Sequence, residues 1–336
     1  MAILNYLKNR YEIIFFVIAQ MCNPNGDPDM GNAPRMDYET GRGIITDVAF
    51  KSRMRRYIQD AFADIPGCEI LIRDETSINK CIAEAVLAVN ETDKIAKEGN
   101  KKVTDAAAWM AEKYWDVRTF GAVMSTGLNA GQIRGAVQVG MSLSTDPIQT
   151  SDITITRCAY TNGNFDSLDK YDEADEKMPA DKKRTMGRKQ FTPFAVYPVK
   201  MTVSANIAEK VGFTEEDFQK LLESVVQMYN NDASSSKMGM SVLTPVIVFK
   251  HVGTQADKTS EQNAREAKLG CASSQQLFDL VKINKKNDVE FPRSIDDYNI
   301  YIDAAKLPNG VDCGLKTSPY GDIEWITKDT DTVIIK

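Results

Sequence analysis

Apolar and polar residues follow two different periods along this chain. Ile13 to Ala19 is an unbroken apolar run, and with its neighbours it predicts a buried strand over Tyr11–Met21. Thr46–Phe62 has the helical period instead. Val48, Met54, Tyr57, Ile58 and Ala61 recur at helical spacing, and Thr46 is placed to cap the start. Ser77–Lys97 and Val103–Asp116 predict two more helices, separated by Gly99-Asn100. The patterns then shorten, over Val117–Val123 and Ile133–Met141, and Ile153–Tyr160 alternates like a strand. Strand-like Phe194–Ser204 precedes a helix over Phe213–Tyr229, which opens on Thr214-Glu215-Glu216-Asp217, a cap followed by acids that suit the helix dipole. Val242–Phe249 predicts a buried strand, irregular or at an edge because of Pro245. Gly253–Gly270 is polar and expected to be loose. Leu277–Ile283 and Ile295–Tyr301 predict short strands, and the Pro/Gly-rich tail from Leu307 ends in apolar Val333-Ile334-Ile335. The mixture of helices and strands predicts an α+β fold.

Between the first strand and the first helix stands Asn23-Pro24-Asn25-Gly26-Asp27-Pro28-Asp29. Pro fixes φ, Gly permits positive φ, and Asn and Asp bond back to nearby backbone, so this segment is a shaped loop. It feeds a helix carrying Lys51 and Arg55 on one face, with Arg53 and Arg56 off it. A shaped loop beside cations suits an anionic polymer. A second charged region covers 163–190. Asp166, Asp169, Asp172, Glu173, Asp175, Glu176 and Asp181 come first; Lys182, Lys183, Arg184, Arg188 and Lys189 follow, around Thr185-Met186-Gly187. With strand-like flanks, this predicts a long hairpin with a charged tip. Its cations suit phosphates, and Met186 suits an apolar wedge between stacked bases.

Composition narrows the function. The 336 residues are 26% charged and 43% hydrophobic, with a formal charge of −6, which excludes a uniformly basic nucleic-acid coat but not a local basic groove. No stretch resembles a membrane span. Lys8 and Arg10 before the first apolar run imitate a signal peptide only loosely, because Glu12 interrupts and no cleavage site follows; a cytoplasmic location is therefore expected. Six cysteines form no CxxC pair, so neither a metal site nor another cofactor is expected, and the thiols read as small buried hydrophobes. The one histidine, His251, ends an apolar run and is assigned a structural role. Gly121, Gly127, Gly131 and Gly135 match neither a dinucleotide fingerprint nor a Walker A loop.

Several segments, in order, resemble one family: Asn23–Asp29, Gly31–Arg35, Thr40–Val48, Asp116–Met124, Arg134–Gln138, Arg184–Lys189, Val248–His251 and Leu277–Lys282. Over roughly 11–302 the chain resembles the CRISPR-associated backbone subunit of type I-C Cascade effector complexes (the Csd/Csh type). The resemblance implies an RRM-like, ferredoxin-type palm over 1–59, 117–157 and 193–336. It further implies a helical fingers insertion over 60–116 and a β-hairpin thumb over 158–192. It implies a non-catalytic subunit that oligomerises along CRISPR guide RNA, together with other Cascade subunits, for target DNA recognition in antiviral defence. The RNA-contacting residues expected are Asn23, Asn25, Lys51 and Arg55 at the palm, Arg134 and Gln138 after the glycine-rich segment, and Arg184, Met186, Arg188 and Lys189 on the thumb. The alternative is a metal-dependent RNA endonuclease using a loop aspartate, Asp27, Asp29, Asp37 or Asp47. A duplex-reading protein lacks any recognition-helix motif. Two segments depart from the family pattern. Asn230–Met240 holds a single cation where a basic segment is usual, and the thumb contains the acidic stretch 163–181.

Overall fold

The structure, a computed structural model, describes residues 5–92, 102–161, 163–327 and 330–336. The chain enters through β1 (Tyr11–Cys22). Within the Asn-Pro loop, β2 (Gly26–Asp27) pairs with β3 (Ala33–Pro34), and β4 (Arg42–Ile45) leads into α1 (Asp47–Ala61). Helices α2 (Ile78–Asn90), α3 (Val103–Lys113) and α4 (Trp115–Phe120) follow, then a small hairpin of β5 (Gly121–Val123) and β6 (Gln132–Arg134). After β7 (Val137–Val139), β8 (Ser142–Pro147) and β9 (Ser151–Arg157), α5 (Leu168–Lys177) precedes the long strand β10 (Thr185–Val203). Next come α6 (Ala205–Val211), α7 (Glu215–Asn231) and β11 (Met240–His251). The last part holds α8 (Glu261–Leu269), α9 (Ser274–Phe278), β12 (Val281–Lys285), β13 (Tyr298–Asp303), β14 (Val311–Lys316), β15 (Glu324–Trp325) and β16 (Thr332–Ile334).

The main sheet is antiparallel, in the order β15-β14-β11-β1-β10-β7, and β9 pairs with the other half of β10. The central position of β1 explains its continuous apolar run: both faces are covered. Ile13, Phe15, Val17 and Ala19 enter a core shared with Phe50, Met54 and Ile58 of α1 and with Phe218, Leu221 and Val225 of α7. Ile14 and Phe16 enter a second core with Leu277, Phe278, Val281 and Ile300. A fully buried side chain of this kind contributes about 1.5–3 kcal/mol, so the strand fixes the fold from both sides. In chain order, β1, α1, β7, β10, α7 and β11 form a β-α-β-β-α-β unit whose two helices share one face. A third apolar cluster packs α2 against α3, running from Leu71 through Met110 and Tyr114 to Met124 and Ala130.

Two buried polar networks tie these parts together. Glu12 and His251 are both fully buried, and the His251 Nε2–H donates to Glu12 Oε2 at 2.6 Å while Nδ1 accepts from the Cys271 amide at 3.0 Å. Arg10 Nε and Ser274 Oγ donate to the other Glu12 oxygen, at 2.7 and 2.9 Å. Burial pushes the Glu12 carboxyl up, but the hydrogen bond from His251, with the charge and hydrogen bond of Arg10, holds it below the usual range. The histidine is thus structural, as its sequence context implied. In the second network Arg118, from α4, grips Asp217 of α7 with two hydrogen bonds of 2.9 and 2.7 Å, and donates to the Gly67 and Ala111 carbonyls. Asp217 also closes a capping box with Thr214.

Several expectations need correction. The helix expected over 77–97 ends at Asn90, where Glu91 turns left-handed with φ 52°; the last predicted residues and Gly99-Asn100 lie outside the described residues. Gly253–Gly270 is not loose throughout: it contains α8, capped by Ser260 and anchored by Asn263, whose amide bonds the backbone of Gln255 and Asp257. Leu277–Ile283 is the end of a helix followed by a strand, and Val48 faces solvent rather than the core. The charged hairpin forms, as β9 against β10, but its acidic half is the helix α5.

Candidate nucleic-acid interface

The Asn-Pro loop leaves the end of β1 and is locked from inside. Asn23 is 3% exposed; its side-chain amide donates to the Asn32 carbonyl at 2.7 Å and its backbone N–H to the Ser236 carbonyl at 2.9 Å. Asn25 Oδ1 accepts from the Thr46 backbone N–H at 3.0 Å, tying the loop to the N-terminus of α1. A Cβ at Gly26 would stand 1.9 Å from Asn32 Oδ1, so a larger residue there would push the Asn32 side chain aside. Both asparagines expected to face RNA are therefore occupied in shaping the loop. The outer surface of this end is carried by Met21, Asp29, Met30, Asn32 and Arg42, all exposed.

The cations of α1 are bound within the protein. Lys51 pairs with Asp47 at 2.7 Å. Arg55 donates to Asp116 at 2.8 Å with its side chain 11% exposed, and packs over the Phe120 ring. Arg53 and Arg56 converge on Asp232 at 2.8 and 2.7 Å. Arg55 thus joins α1 to α4, and a phosphate would have to displace a buried carboxylate to reach it. Among the described residues Lys51 is held only by this local i,i+4 pair, whereas Arg56, the most exposed of the four, shares Asp232 with Arg53.

The loop Asp232–Gly239 joins three elements. Asp232 holds α1; Lys237 Nζ donates to the Asn23 and Pro24 carbonyls, at 2.5 and 2.7 Å; and Lys189, at the base of the ribbon, donates to the Ser235 carbonyl at 3.1 Å. The single cation of the departing segment thus points inward. Burial, then the Arg53 charge, pushes the Lys237 ammonium down to about 8. No local signal could have found this role, since Lys237 lies more than 210 residues from the carbonyls it holds.

Beyond this junction β9 and the first half of β10 form a two-stranded ribbon. Opposed residues in the register share a face, so Met186 and Arg188 stand with Thr156 and Thr154, while Lys189 shares the other face with Ile153. Met186 is 77% exposed, and Arg184 and Arg188 are exposed too. Arg134 and Gln138 lie elsewhere. They line a mixed polar and apolar cleft of about 540 Å³ with Arg10, Gln132, Asn206 and Lys210, where β10 ends beside the start of β1. The Asn-Pro loop lies at the opposite end of β1, roughly 35 Å away at ~3.3 Å per residue. The structure therefore separates the expected residues into a loop-and-thumb group and a distant pair.

The loop aspartates do not converge. Asp27 pairs with Arg35 at 3.3 Å, Asp47 with Lys51, and Asp37 accepts from Thr40 Oγ1 and the Glu39 N–H, bonds that hold its carboxyl below the usual range. Among the described residues no three His, Cys, Asp or Glu side chains are grouped to hold a metal ion, and no helix is long and apolar enough to cross a membrane.

Comparison with known proteins decides the family. Residues 9–303 match the family described as CRISPR-associated protein Cas7. The chain belongs to the Cas7 family. A curated relative with that description, from Haloferax volcanii, is 38% identical over 117 residues, which is 35% of this chain and 33% of that protein. The chain thus matches about a third of that relative's length. Two solved chains are also similar. One, from a "CRISPR RNA-guided surveillance complex, pre-nicking", has a TM-score of 0.44 and 13% identity, with 79% of this chain and 83% of that chain covered. The other, from a "CRISPR RNA-guided surveillance complex", has a TM-score of 0.41 and 13% identity, with 78% and 76% covered.

Proposed function

We propose that this Cas7-family chain is a backbone subunit of a type I-C Cascade complex. Copies of it oligomerise along a CRISPR guide RNA in the cytoplasm, beside other Cascade subunits, and the guide pairs with target DNA. The observation that carries this reading is the family match across nearly the whole folded region. The projecting ribbon with exposed Met186, Arg184 and Arg188 supports it: cations neutralise phosphates and an apolar tip separates bases. The palm reads as RRM-like because β11-β1-β10-β7, with α1 and α7 on one face, is the strand order of a ferredoxin-type unit. The fingers read as the third apolar cluster, which extends the expected 60–116 through Ala130. The thumb reads as 158–192 with β9 added as its second strand. The guide-facing set is the thumb's Arg184, Met186 and Arg188, with Lys51 on α1; Asn23, Asn25 and Lys189 hold the loop and ribbon.

The subunit is read as non-catalytic: Asp27 and Asp47 are paired with Arg35 and Lys51 and Asp37 is hydrogen-bonded to Thr40, which leaves Asp29 as the one exposed carboxylate of the four. The test is co-expression with a guide transcript. Nucleic-acid absorbance in a multi-subunit gel-filtration peak is expected, and complementary RNA stays intact when that peak is incubated with Mg²⁺. A monomeric, nucleic-acid-free chain overturns the scaffold reading. Regular cuts lost on Asp27→Ala overturn the non-catalytic one.

A further inference from the structure

The helix α5 presents one unpartnered face. Asp169, Asp172, Glu173 and Glu176 stand at i, i+3, i+4 and i+7, and all four are exposed, whereas Tyr171, Ala174, Asp175 and Met178 on the other side are half-buried. Like charges at these spacings oppose helix formation. Among the described ion pairs only Glu173 of the four has a cation, Lys177 at 3.6 Å. Such a stripe repels a sugar–phosphate chain, so it faces away from any guide lying on the cationic side of the ribbon. It calls for a cationic protein surface.

One such surface is the cleft at the far end of the sheet. Arg134 and Lys210 are exposed at its wall, Arg10 stands behind them, and Gln132, Gln138 and Asn206 supply amides. Arg10 is committed to Glu12 and Ser274, but neither Arg134 nor Lys210 has a carboxylate partner among the described ion pairs. The stripe and the cleft cannot meet within one chain. The ribbon that carries α5 joins β10 at Thr185, whereas the cleft lies beside Thr202 and Val203 of the same unbroken strand. That separation is about 55–60 Å at ~3.3 Å per residue.

We propose that the acidic stripe of α5 docks into the Arg134–Lys210 cleft of a second copy of this chain. The contact is heterologous: an arm at one end of a molecule meets a cleft at the opposite end of the next, and repetition gives an open filament rather than a closed dimer. Carboxylates entering the cleft meet Arg134 and Lys210 as ion pairs and the amides as donors. This deepens the scaffold reading, on which it rests for the identity of the partner, and it moves Arg134 and Gln138 from guide binding to subunit contact.

Two experiments with the full chain test it. Carbodiimide cross-linking of a concentrated, guide-free mixture of ¹⁴N- and ¹⁵N-labelled chains is expected to yield mixed-label links from Asp172 or Glu173 to Lys210. Their absence overturns the contact, whatever the guide does. In the second, D172K/E173K and R134E/K210E are each expected to raise the concentration needed for assembly on a guide transcript at least tenfold, and the combined charge swap restores it. Binding of one copy to a short oligoribonucleotide is expected to stay unchanged in both. Silent stripe reversal together with abolished oligonucleotide binding by R134E/K210E would assign the cleft to nucleic acid and overturn the proposal. Failure of the wild-type chain to bind any guide, with the cross-links present, would instead overturn the scaffold reading alone.

Discussion

At the scale of single residues, shape and contact have been divided between different side chains. Asn23 and Asn25 hold the loop; Lys237 holds it from behind. This inward cation has a measurable signature. In the unfolded chain Lys237 stays charged up to about 10.5, but in the folded chain only up to about 8, because burial and Arg53 oppose the charge. Between these values the unfolded chain binds more protons, so this residue's contribution to stability rises with pH through that window. Below it the full cost of the buried charge is present. Urea denaturation at pH 7.5 and pH 10 is therefore expected to show wild type gaining stability relative to Lys237→Met as pH rises. An equal difference at both pH values would mean that Lys237 is solvated. The loop itself was legible in sequence, because Pro, Gly and Asn dictate local backbone. The direction in which Asn23 and Asn25 point was not, since their partners Asn32, Ser236 and Thr46 are fixed only by the folded chain.

At the scale of elements, helices with strong caps and an apolar stripe were legible, and polar ones were not. Thr46 and Thr214 cap α1 and α7 as their sequences indicate. By contrast α8 buries only Asn263, and α5 buries nothing, so neither leaves an apolar period to read. The basic pattern of α1 misled for a related reason. Four cations on a helix look like a phosphate-binding face until Asp116 and Asp232 arrive from elsewhere in the chain. Charge reversal at Arg55 would therefore act first on the α1–α4 joint and only through it on guide binding. The Arg118–Asp217 joint is the clearest element-level test. Both side chains are nearly buried, and Asp217 also serves the α7 cap. Arg118→Met leaves a buried carboxylate without its partner and is expected to cost about 3–5 kcal/mol. Denaturant unfolding measures it, and a cost under about 1 kcal/mol would show that α4 and α7 are held together by apolar packing instead.

At the scale of the whole molecule, one continuous antiparallel strand, β10, sets the two ends of the subunit apart. Its first half carries the exposed Arg and Met side chains of the ribbon; its last residues wall the Arg134 cleft. On the proposed reading such a chain meets an anionic strand at one end and a neighbour at the other, two roles that are separable by salt. Every phosphate of a single strand that a cation no longer neutralises lowers the slope of log affinity against log salt by about 0.7. For one copy binding a short oligoribonucleotide, R184A/R188A is therefore expected to lower that slope by about 1.4. R134A is expected to leave it unchanged, because the cleft lies too far along β10 to share the same few nucleotides. Fluorescence anisotropy titrations at several salt concentrations measure both slopes. An unchanged slope in R184A/R188A would remove the ribbon from the guide path. A lowered slope in R134A would place phosphates at both ends of the sheet, with the strand lying along β10 rather than across the thumb.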